Sequence, residues 1–161
     1  MLLTLGAKAW PKLKGLHEKL VRDSRWKIRK TLAYSLFELA KILGPQMTES
    51  ELLPVLFHFM KDVNEVRDGV MLSLPELVAQ LEVGQREAYV DKIAGAWVTN
   101  EEDWRKRKMQ ALQIGKLASL IEPSVFEKHF IDQFFQMCED QVAHVREACA
   151  LACYPIAKSF S

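Results

Sequence analysis

The segment DSRWKIRKTLAYSLFELAKILG, residues 23–44, contains the pattern from which the fold can be predicted. An acidic residue is followed by an arginine six positions later and then by a stretch whose apolar residues recur every three or four positions. Apolar residues at this spacing lie along one side of an α-helix. Related segments begin at Asp62, Glu101 and Asp140, so the same unit of acid, arginine and helix occurs four times in the chain.

The repeat length follows from four arginines that are 38, 40 and 39 residues apart, namely Arg29, Arg67, Arg107 and Arg146. Positions 7, 10, 11 and 14 after each arginine are apolar, which predicts that each arginine opens a helix with a buried face. Cys153 occupies one of these positions and is therefore predicted to be buried. A shorter amphipathic segment precedes each arginine, and two of these segments begin with predicted capping boxes, at residues 48–51 and 124–127. The chain is predicted to be all-α and built from helix pairs.

Helix pairs that recur at about 40 residues are typical of HEAT and armadillo solenoids, since tetratricopeptide and ankyrin units are shorter. The predicted architecture is an α-α superhelix of about four stacked pairs, in which each pair buries its apolar face against its neighbours. Residues 3–6 match residues 41–44, and the last repeat stops within its pattern. We therefore expect residues 1–161 to be a single solenoid segment from a longer array, with residues 1–6 as the tail of a preceding repeat and repeats at 7–44, 45–83, 84–122 and 123–161.

Stacking of equivalent pairs would place the arginine of one pair beside the acid of the next. Such a ladder of ion pairs would fix how neighbouring helix pairs align. The simpler interpretation is that each acid only stabilises the start of its own helix. The third turn departs from the pattern, because its acid is ambiguous among residues 101–103 and Lys106 replaces an aliphatic residue. The predicted ladder residues are Asp23, Arg29, Asp62, Arg67, Arg107, Asp140 and Arg146.

Composition excludes several classes of function. The net charge of +1 argues against a nucleic-acid binder that depends on bulk charge, and no apolar run approaches the length of a membrane span. The N-terminus lacks the basic leader and cleavage site of a signal peptide, and three cysteines near one end do not form a disulfide framework. We therefore expect a cytoplasmic or nuclear location, with neither nucleic acid nor a membrane as partner.

No cofactor, metal site or catalytic group is expected. Cys149, Cys153 and His144 lack a fourth metal ligand at suitable spacing, and the other histidines have no acid or nucleophile at motif spacing. A glycine-rich phosphate loop is also absent from the sequence. The chain is predicted not to be an enzyme.

The segment WKIRKTLAYSLFELAKILGPQMTESELLPVLFHFMKDVNEVRDGV, residues 26–70, closely resembles the HEAT repeats of the protein phosphatase 4 regulatory subunit 1 family. It resembles the scaffold A subunit of protein phosphatase 2A less closely. Both share the W-x-[IV]-R, ELA-x-x-LG, LLP-x-[LF] and KD-x-x-EVR motifs. The third unit, YVDKIAGAWVTNEEDWRKR at residues 89–107, favours the phosphatase 4 family. The resemblance extends over about residues 3–158.

This resemblance implies a non-catalytic regulatory subunit that binds the catalytic subunit of a serine/threonine phosphatase and positions substrates, with other regulatory proteins as further partners. In the scaffold family the turns inside the helix pairs contact these subunits. Transferred to this sequence, the turns are residues 23–29, 62–67, 100–107 and 140–146. The predicted partner-binding residues are Arg25, Trp26, Lys27, Lys30, Asn64, Glu65, Trp104, Arg105, Lys106, Lys108 and His144.

Alternatives remain at the level of single residues and of function. Trp26 and Trp104 could contact a partner or pack beneath an adjacent helix, and the basic residues around them could bind an acidic surface or simply be solvated.

The chain could instead be a phosphatase 2A scaffold or a peptide-binding transport adaptor, although the latter would need asparagine or tryptophan ladders that are not seen. A DNA glycosylase of helical repeats would need an acid in a basic groove, which the balanced charge does not favour.

Overall fold

The structure, a computed structural model, describes residues 6–96 and 102–161, and every regular element within these ranges is helical. The predicted all-α, solenoid-type class is thereby confirmed. The described ranges contain nine α-helices of five or more residues, separated by shorter helical turns and by two π-helical stretches. They are α1 (Trp10–Val21), α2 (Trp26–Leu43), α3 (Leu53–Phe59), α4 (Asn64–Leu72), α5 (Leu74–Val78), α6 (Val90–Ala96), α7 (Trp104–Leu117), α8 (Asp132–Cys138) and α9 (Ala143–Ser159).

The second helix of each pair begins just before its arginine, as the pattern predicts. Helix α2 ends at Gly44, whose φ of +80° is easily adopted only by glycine and whose N–H donates to the carbonyl of Ala40. Helix α7 begins after Asp103, whose carboxylate accepts the N–H of Arg105. In the second pair this helix is divided into α4 and α5, because Pro75 has no N–H with which to continue the hydrogen-bond pattern.

The first helices of the pairs are less regular than expected. Helix α3 follows a helical turn at Pro45–Met47 and a π-helical stretch at Thr48–Leu52, and α8 follows Pro123–Phe126 and a π-helical stretch at Glu127–Ile131. Both predicted capping boxes are wrong. Thr48 is completely buried inside the bend that follows α2, and its hydroxyl reaches the carbonyl of Ala40 instead. The N-cap in the fourth pair is Glu122, whose carboxylate accepts the N–H groups of Ser124 and Val125.

The helices form two compact units, residues 1–82 and 83–161. In the N-terminal unit α2 packs against α1, α4 and α5, and in the C-terminal unit α7 packs against α9 and α8. Glycine permits close approach in the C-terminal unit, where a Cβ added to Gly115 would lie 2.6 Å from the Cβ of Ala152. The division into four repeats with the boundaries given above stays a prediction.

The residues at positions 4, 7, 11 and 14 after each arginine are buried in the first three pairs and exposed in the fourth. Ala33, Leu36 and Ala40 of α2 are completely buried, whereas Cys153 of α9 is exposed. The predicted burial of Cys153 is therefore wrong. The reason is that α4 covers the stripe of α2 and α9 covers that of α7, while the described chain has no helix after α9. Helix α9 buries its opposite side, including Val145, Ala148, Cys149, Ala152 and Ile156.

Candidate functional site

In each unit, an arginine and an aspartate join the turns inside two successive helix pairs. In the N-terminal unit the Nε and Nη2 groups of Arg29 donate to the two carboxylate oxygens of Asp62, at 2.6 and 2.7 Å. The Nη1 group of Arg29 donates to the backbone carbonyl of Asp23, at 2.6 Å. One guanidinium therefore closes its own turn and also holds the turn of the next pair in a two-point contact, which is the strongest geometry available to this pair of groups.

The C-terminal unit repeats this arrangement. The Nε and Nη2 groups of Arg107 donate to Asp140 at 2.5 and 3.0 Å, and its Nη1 group donates to the carbonyl of Glu102 at 2.8 Å. The carboxylate of Asp140 also accepts the N–H of Val142, at 2.8 Å. The side chains of Asp62 and Asp140 are only 9% and 8% exposed. The structure thus brings together Arg29 with Asp62 and Arg107 with Asp140.

These hydrogen bonds shift the titration of the two aspartates. Hydrogen bonds from Arg29 hold the pKa of Asp62 below its ordinary value, and those from Arg107 do the same for Asp140. Burial acts in the opposite direction in both cases but is the smaller influence. Both carboxylates are accordingly ionised at neutral pH, and both pairs are charged.

A folded-state pKa below the unfolded value implies a loss of stability in acid. The contribution of Asp62 is fully present above its unfolded pKa near 3.8 and is lost as the pH falls towards its lower folded pKa. We expect the free energy of unfolding to decrease as the pH is lowered from about 5 to about 3, and to decrease less in the Asp62→Asn variant. Urea unfolding followed by circular dichroism at a series of pH values measures both slopes. Identical slopes would show that Asp62 does not contribute.

The other predicted ladder residues lie in the same turns but make different contacts. The carboxylate of Asp23 accepts the N–H of Arg25, at 2.9 Å, and this bond lowers the pKa of Asp23. Arg146 donates through Nη1 to the carbonyls of Asp140 and Gln141, at 2.7 and 3.1 Å. Arg67 lies half-buried in the first turn of α4, and part of the turn that carries its predicted acid lies outside the described residues.

An exposed cluster of aromatic and basic side chains, the Trp26 patch, covers the start of α2. Trp26 is 37% exposed, and the ammonium groups of Lys27 and Lys30 lie 5.9 and 5.8 Å from the centre of its ring. The Lys30 ammonium also lies 5.8 Å from the ring centre of Tyr34. Cations at these distances interact favourably with the faces of aromatic rings. The patch comprises Arg25, Trp26, Lys27, Lys30 and Tyr34.

Tyr34 belongs to this surface although the repeat pattern did not predict it as a contact residue. Its ring is exposed, and a tyrosine four residues after Lys30 on a helix lies directly beside that lysine. The sequence signal for Tyr34 is its spacing of four residues from Lys30, a predicted partner-binding residue.

Trp104, which occupies the same position in the third pair, has a different environment. Its ring stacks on that of His144 with 5.4 Å between centres and 23° between planes, and the Arg105 guanidinium lies 4.7 Å from its centre. Trp104 is half-buried by these contacts. The structure therefore brings Trp104, Arg105 and His144 together as a cluster on the surface of the C-terminal unit.

The remaining predicted partner-binding residues lie near these groups. Asn64 and Glu65 are exposed at the start of α4, and Lys106 and Lys108 are half-buried in the first turns of α7.

Burial raises the pKa of the Cys149 thiol to about 12, so this cysteine is an inert part of the interior. The described ranges contain no group of three or more histidine, cysteine, aspartate or glutamate residues arranged to hold a metal. None of the helices in these ranges is long and apolar enough to cross a membrane.

Comparison with known proteins gives two family matches and a set of relatives. Residues 1–96 match the family described as the protein phosphatase 4 regulatory subunit 1 middle domain, and residues 130–160 match the HEAT repeat. The human and mouse proteins named serine/threonine-protein phosphatase 4 regulatory subunit 1 are each 37% identical to this chain over 145 residues. That region is 89% of this chain but only 15% of each relative, so the chain spans a small part of the length of these proteins.

Proposed function

Because this chain belongs to the family of the protein phosphatase 4 regulatory subunit 1 middle domain, we propose that it is a non-catalytic regulatory module that binds a phosphatase catalytic subunit. The family resemblance predicted from the sequence is confirmed by the matches over residues 1–96 and 130–160. The names of the relatives describe regulatory subunits of a serine/threonine phosphatase. The proposed target is accordingly the catalytic subunit of a phosphatase of type 4, with substrates or other regulatory proteins as further partners.

The Trp26 patch is the observation that carries this proposal. Tryptophan and arginine are among the residues most often found at the energetic centre of protein interfaces, and the patch contains one of each. Trp104 has the same position in the repeat but is already packed on His144. Of the two predicted tryptophan contacts, Trp26 is therefore the one with a ring available to a partner.

Charge indicates the chemistry of the surface that the patch would contact. Arg25, Lys27 and Lys30 surround the ring, and an interface places opposite charges against each other to guide association. The ion pair of Arg29 with Asp62 lies three residues beyond Trp26 and fixes the turn from which the ring projects. We infer that the partner presents acidic groups around an apolar recess that accepts the indole.

The proposed role requires no chemistry from this chain. Regulation of this kind consists of holding a catalytic subunit and positioning substrates over an extended helical surface. We also propose a cytoplasmic or nuclear location, which is supported by the three free thiols of Cys138, Cys149 and Cys153.

Binding of the purified 161-residue chain to phosphatase 4 and phosphatase 2A catalytic subunits tests the proposal. We expect the wild-type chain to bind the type 4 subunit, and Trp26→Ala to weaken binding at least about tenfold because it removes the central contact. Lys27→Glu and Lys30→Glu should lower the association rate and reduce its dependence on salt. Calorimetry gives the affinity, and stopped-flow fluorescence gives the rate.

Phe135→Ala is the matched control, since Phe135 is an aromatic residue on α8 that is 60% exposed and lies outside the turns. Its affinity should stay within about twofold of wild type. Absence of binding by the wild-type chain would overturn the proposed function. Binding that is unchanged by Trp26→Ala would exclude the Trp26 patch as the contact, and stronger binding to the type 2A subunit would favour the scaffold alternative.

A further inference from the structure

The fifth residue after each arginine of the repeat is a large side chain that stays in contact with solvent. These residues are Tyr34, Leu72, Leu112 and Leu151. Tyr34 and Leu72 are 45% and 44% exposed, Leu151 is 66% exposed, and Leu112 is half-buried. Helix α4 packs against α2 and helix α9 packs against α7, yet neither covers the fifth position of the helix before it. Exposure at this position is therefore a property of the repeat itself and persists when another pair follows.

In the C-terminal unit the fifth positions border an open groove between α7 and α9. Two adjoining recesses lie along these helices, and Pro155 lines both of them. Leu112 and Leu151 line the first recess. The buried residues Gly115 and Ala152 lie between these two leucines, so that small side chains leave room above them. We call this surface the α7–α9 groove; it comprises Leu112, Gly115, Lys116, Leu151, Pro155 and Lys158.

The fifth position of α2 is used differently in the N-terminal unit. A Cβ added to Gly69 would lie 2.9 Å from Cδ2 of the Tyr34 ring, so this ring lies against α4 and covers part of the space between the two helices. The leucine at the same position of α7 is smaller and has no ring that could cross to α9. We therefore place the binding surface in the C-terminal unit.

The polar groups of the groove indicate the chemistry of its occupant. Of the described residues that line the two recesses, two are lysines, Lys116 and Lys158, and none is acidic. Both lysines are exposed. Pro155 lies inside α9 and has no N–H, so the carbonyl of Leu151 lacks the donor that the helix would otherwise supply. Carboxylates and unused backbone N–H groups complement these features, and an acidic peptide in extended conformation offers both.

We propose that the α7–α9 groove binds an extended segment of a partner protein in which leucine-like residues alternate with acidic ones. Leu112 and Ser119 are seven residues apart, which corresponds to about 10 Å along the helix. In an extended peptide, residues two apart lie on the same side at a distance of about 7 Å. Two such apolar side chains would enter the two recesses, while the acidic ones would point away from them, where the ammonium groups of Lys116 and Lys158 can reach. This surface is separate from the Trp26 patch and goes beyond the proposed function.

Fluorescence anisotropy with the 161-residue chain tests this inference. The probe is a short fluorescein-labelled peptide in which leucine and aspartate alternate, and we expect saturable binding with a Kd below about 100 μM. Leu151→Glu should weaken binding at least about tenfold, because it removes an apolar contact and places a carboxylate beside the aspartates. Lys158→Glu should weaken it at least about threefold. Leu16→Glu is the matched control, since Leu16 is a leucine on α1 that is 56% exposed, and its affinity should stay within about twofold of wild type.

Two further peptides separate conformation from charge. A peptide of the same composition with its leucines grouped before its aspartates cannot place all leucines on one side of an extended chain, so it should bind at least about fivefold more weakly. A peptide of alternating leucine and lysine should bind at least about tenfold more weakly, because its charges face those of the groove.

Several outcomes would overturn the inference. These are absence of saturable binding by the wild-type chain, equal binding of either comparison peptide, and affinities of Leu151→Glu and Lys158→Glu that both match wild type. Sedimentation should show that the wild-type chain is monomeric at the concentrations used. A dimer that Leu151→Glu dissociates would mean that a second copy occupies the groove, which would also contradict the proposal. No phosphatase enters these measurements, so a negative result here leaves the proposed function untouched.

Discussion

Gly115→Ala is expected to lower the free energy of unfolding by about 2 kcal/mol, because it overfills the contact between α7 and α9. A Cβ at this position would lie 2.6 Å from the Cβ of Ala152 and 3.0 Å from its Cα. The second distance involves backbone, so a change of side-chain rotamer cannot relieve it. The two helices would have to separate, and the buried side chains between them, such as Ile114 and Cys149, would lose contacts.

Gly15→Ala is the matched control for this prediction. Gly15 lies within α1, and a Cβ added there meets nothing within 4 Å. Since glycine is unfavourable inside a helix, the alanine variant should be about 0.5–1 kcal/mol more stable than wild type. Urea unfolding monitored by circular dichroism gives both values. If the two substitutions stabilised the chain equally, the close approach of α7 and α9 would not exist.

Arg107→Ala is expected to lower the free energy of unfolding by about 2–3 kcal/mol, because it leaves the buried carboxylate of Asp140 without its charged donors. The Asp140 side chain is only 8% exposed, so water cannot fully replace the two hydrogen bonds that Arg107 donates. A double-mutant cycle with Asp140→Ala isolates the energy of the pair from the other contacts of each residue. Chemical unfolding of the four proteins at neutral pH supplies the cycle.

Arg146→Ala controls for the loss of an arginine at this position of the repeat. Arg146 donates to carbonyls of its own turn, as Arg107 does, but no carboxylate among the described residues accepts a hydrogen bond from it. Its replacement should change stability by less than about 0.5 kcal/mol. If Arg107→Ala and Arg146→Ala lowered the free energy of unfolding equally, the ion pair of Arg107 with Asp140 would add no stability beyond the contacts with backbone carbonyls.

The sequence alone was sufficient to predict the helices and their class. Apolar residues at positions 7, 10, 11 and 14 after each arginine define a helical face, and the helices α2, α4, α7 and α9 begin where this pattern begins. The period of about 39 residues predicted pairs of helices, and the motifs in residues 26–70 predicted the family to which residues 1–96 match. These features are local or periodic, so they can be read without knowing which pairs touch.

The candidate site could be predicted only in part, as the two tryptophans show. Trp26 and Trp104 have the same position before their arginines, yet Trp104 stacks on His144 and Trp26 is exposed beside two lysines. The residue that corresponds to His144 in the second turn is Glu65, which has no ring with which to stack. The environment of each tryptophan is thus determined by the side chain that the following pair supplies.

The sequence by itself determined the helical periodicity, the repeat length and the family, because each depends on side chains that are close along the chain or recur at a fixed interval. Only the tertiary structure decided which arginines find an aspartate and which apolar positions are covered. Arg107 reaches Asp140, 33 residues away, while Arg146 is left with backbone carbonyls. Cys153 shares its position in the pattern with buried Leu36 but is exposed, because burial depends on a neighbouring helix and not on the helix that carries the residue.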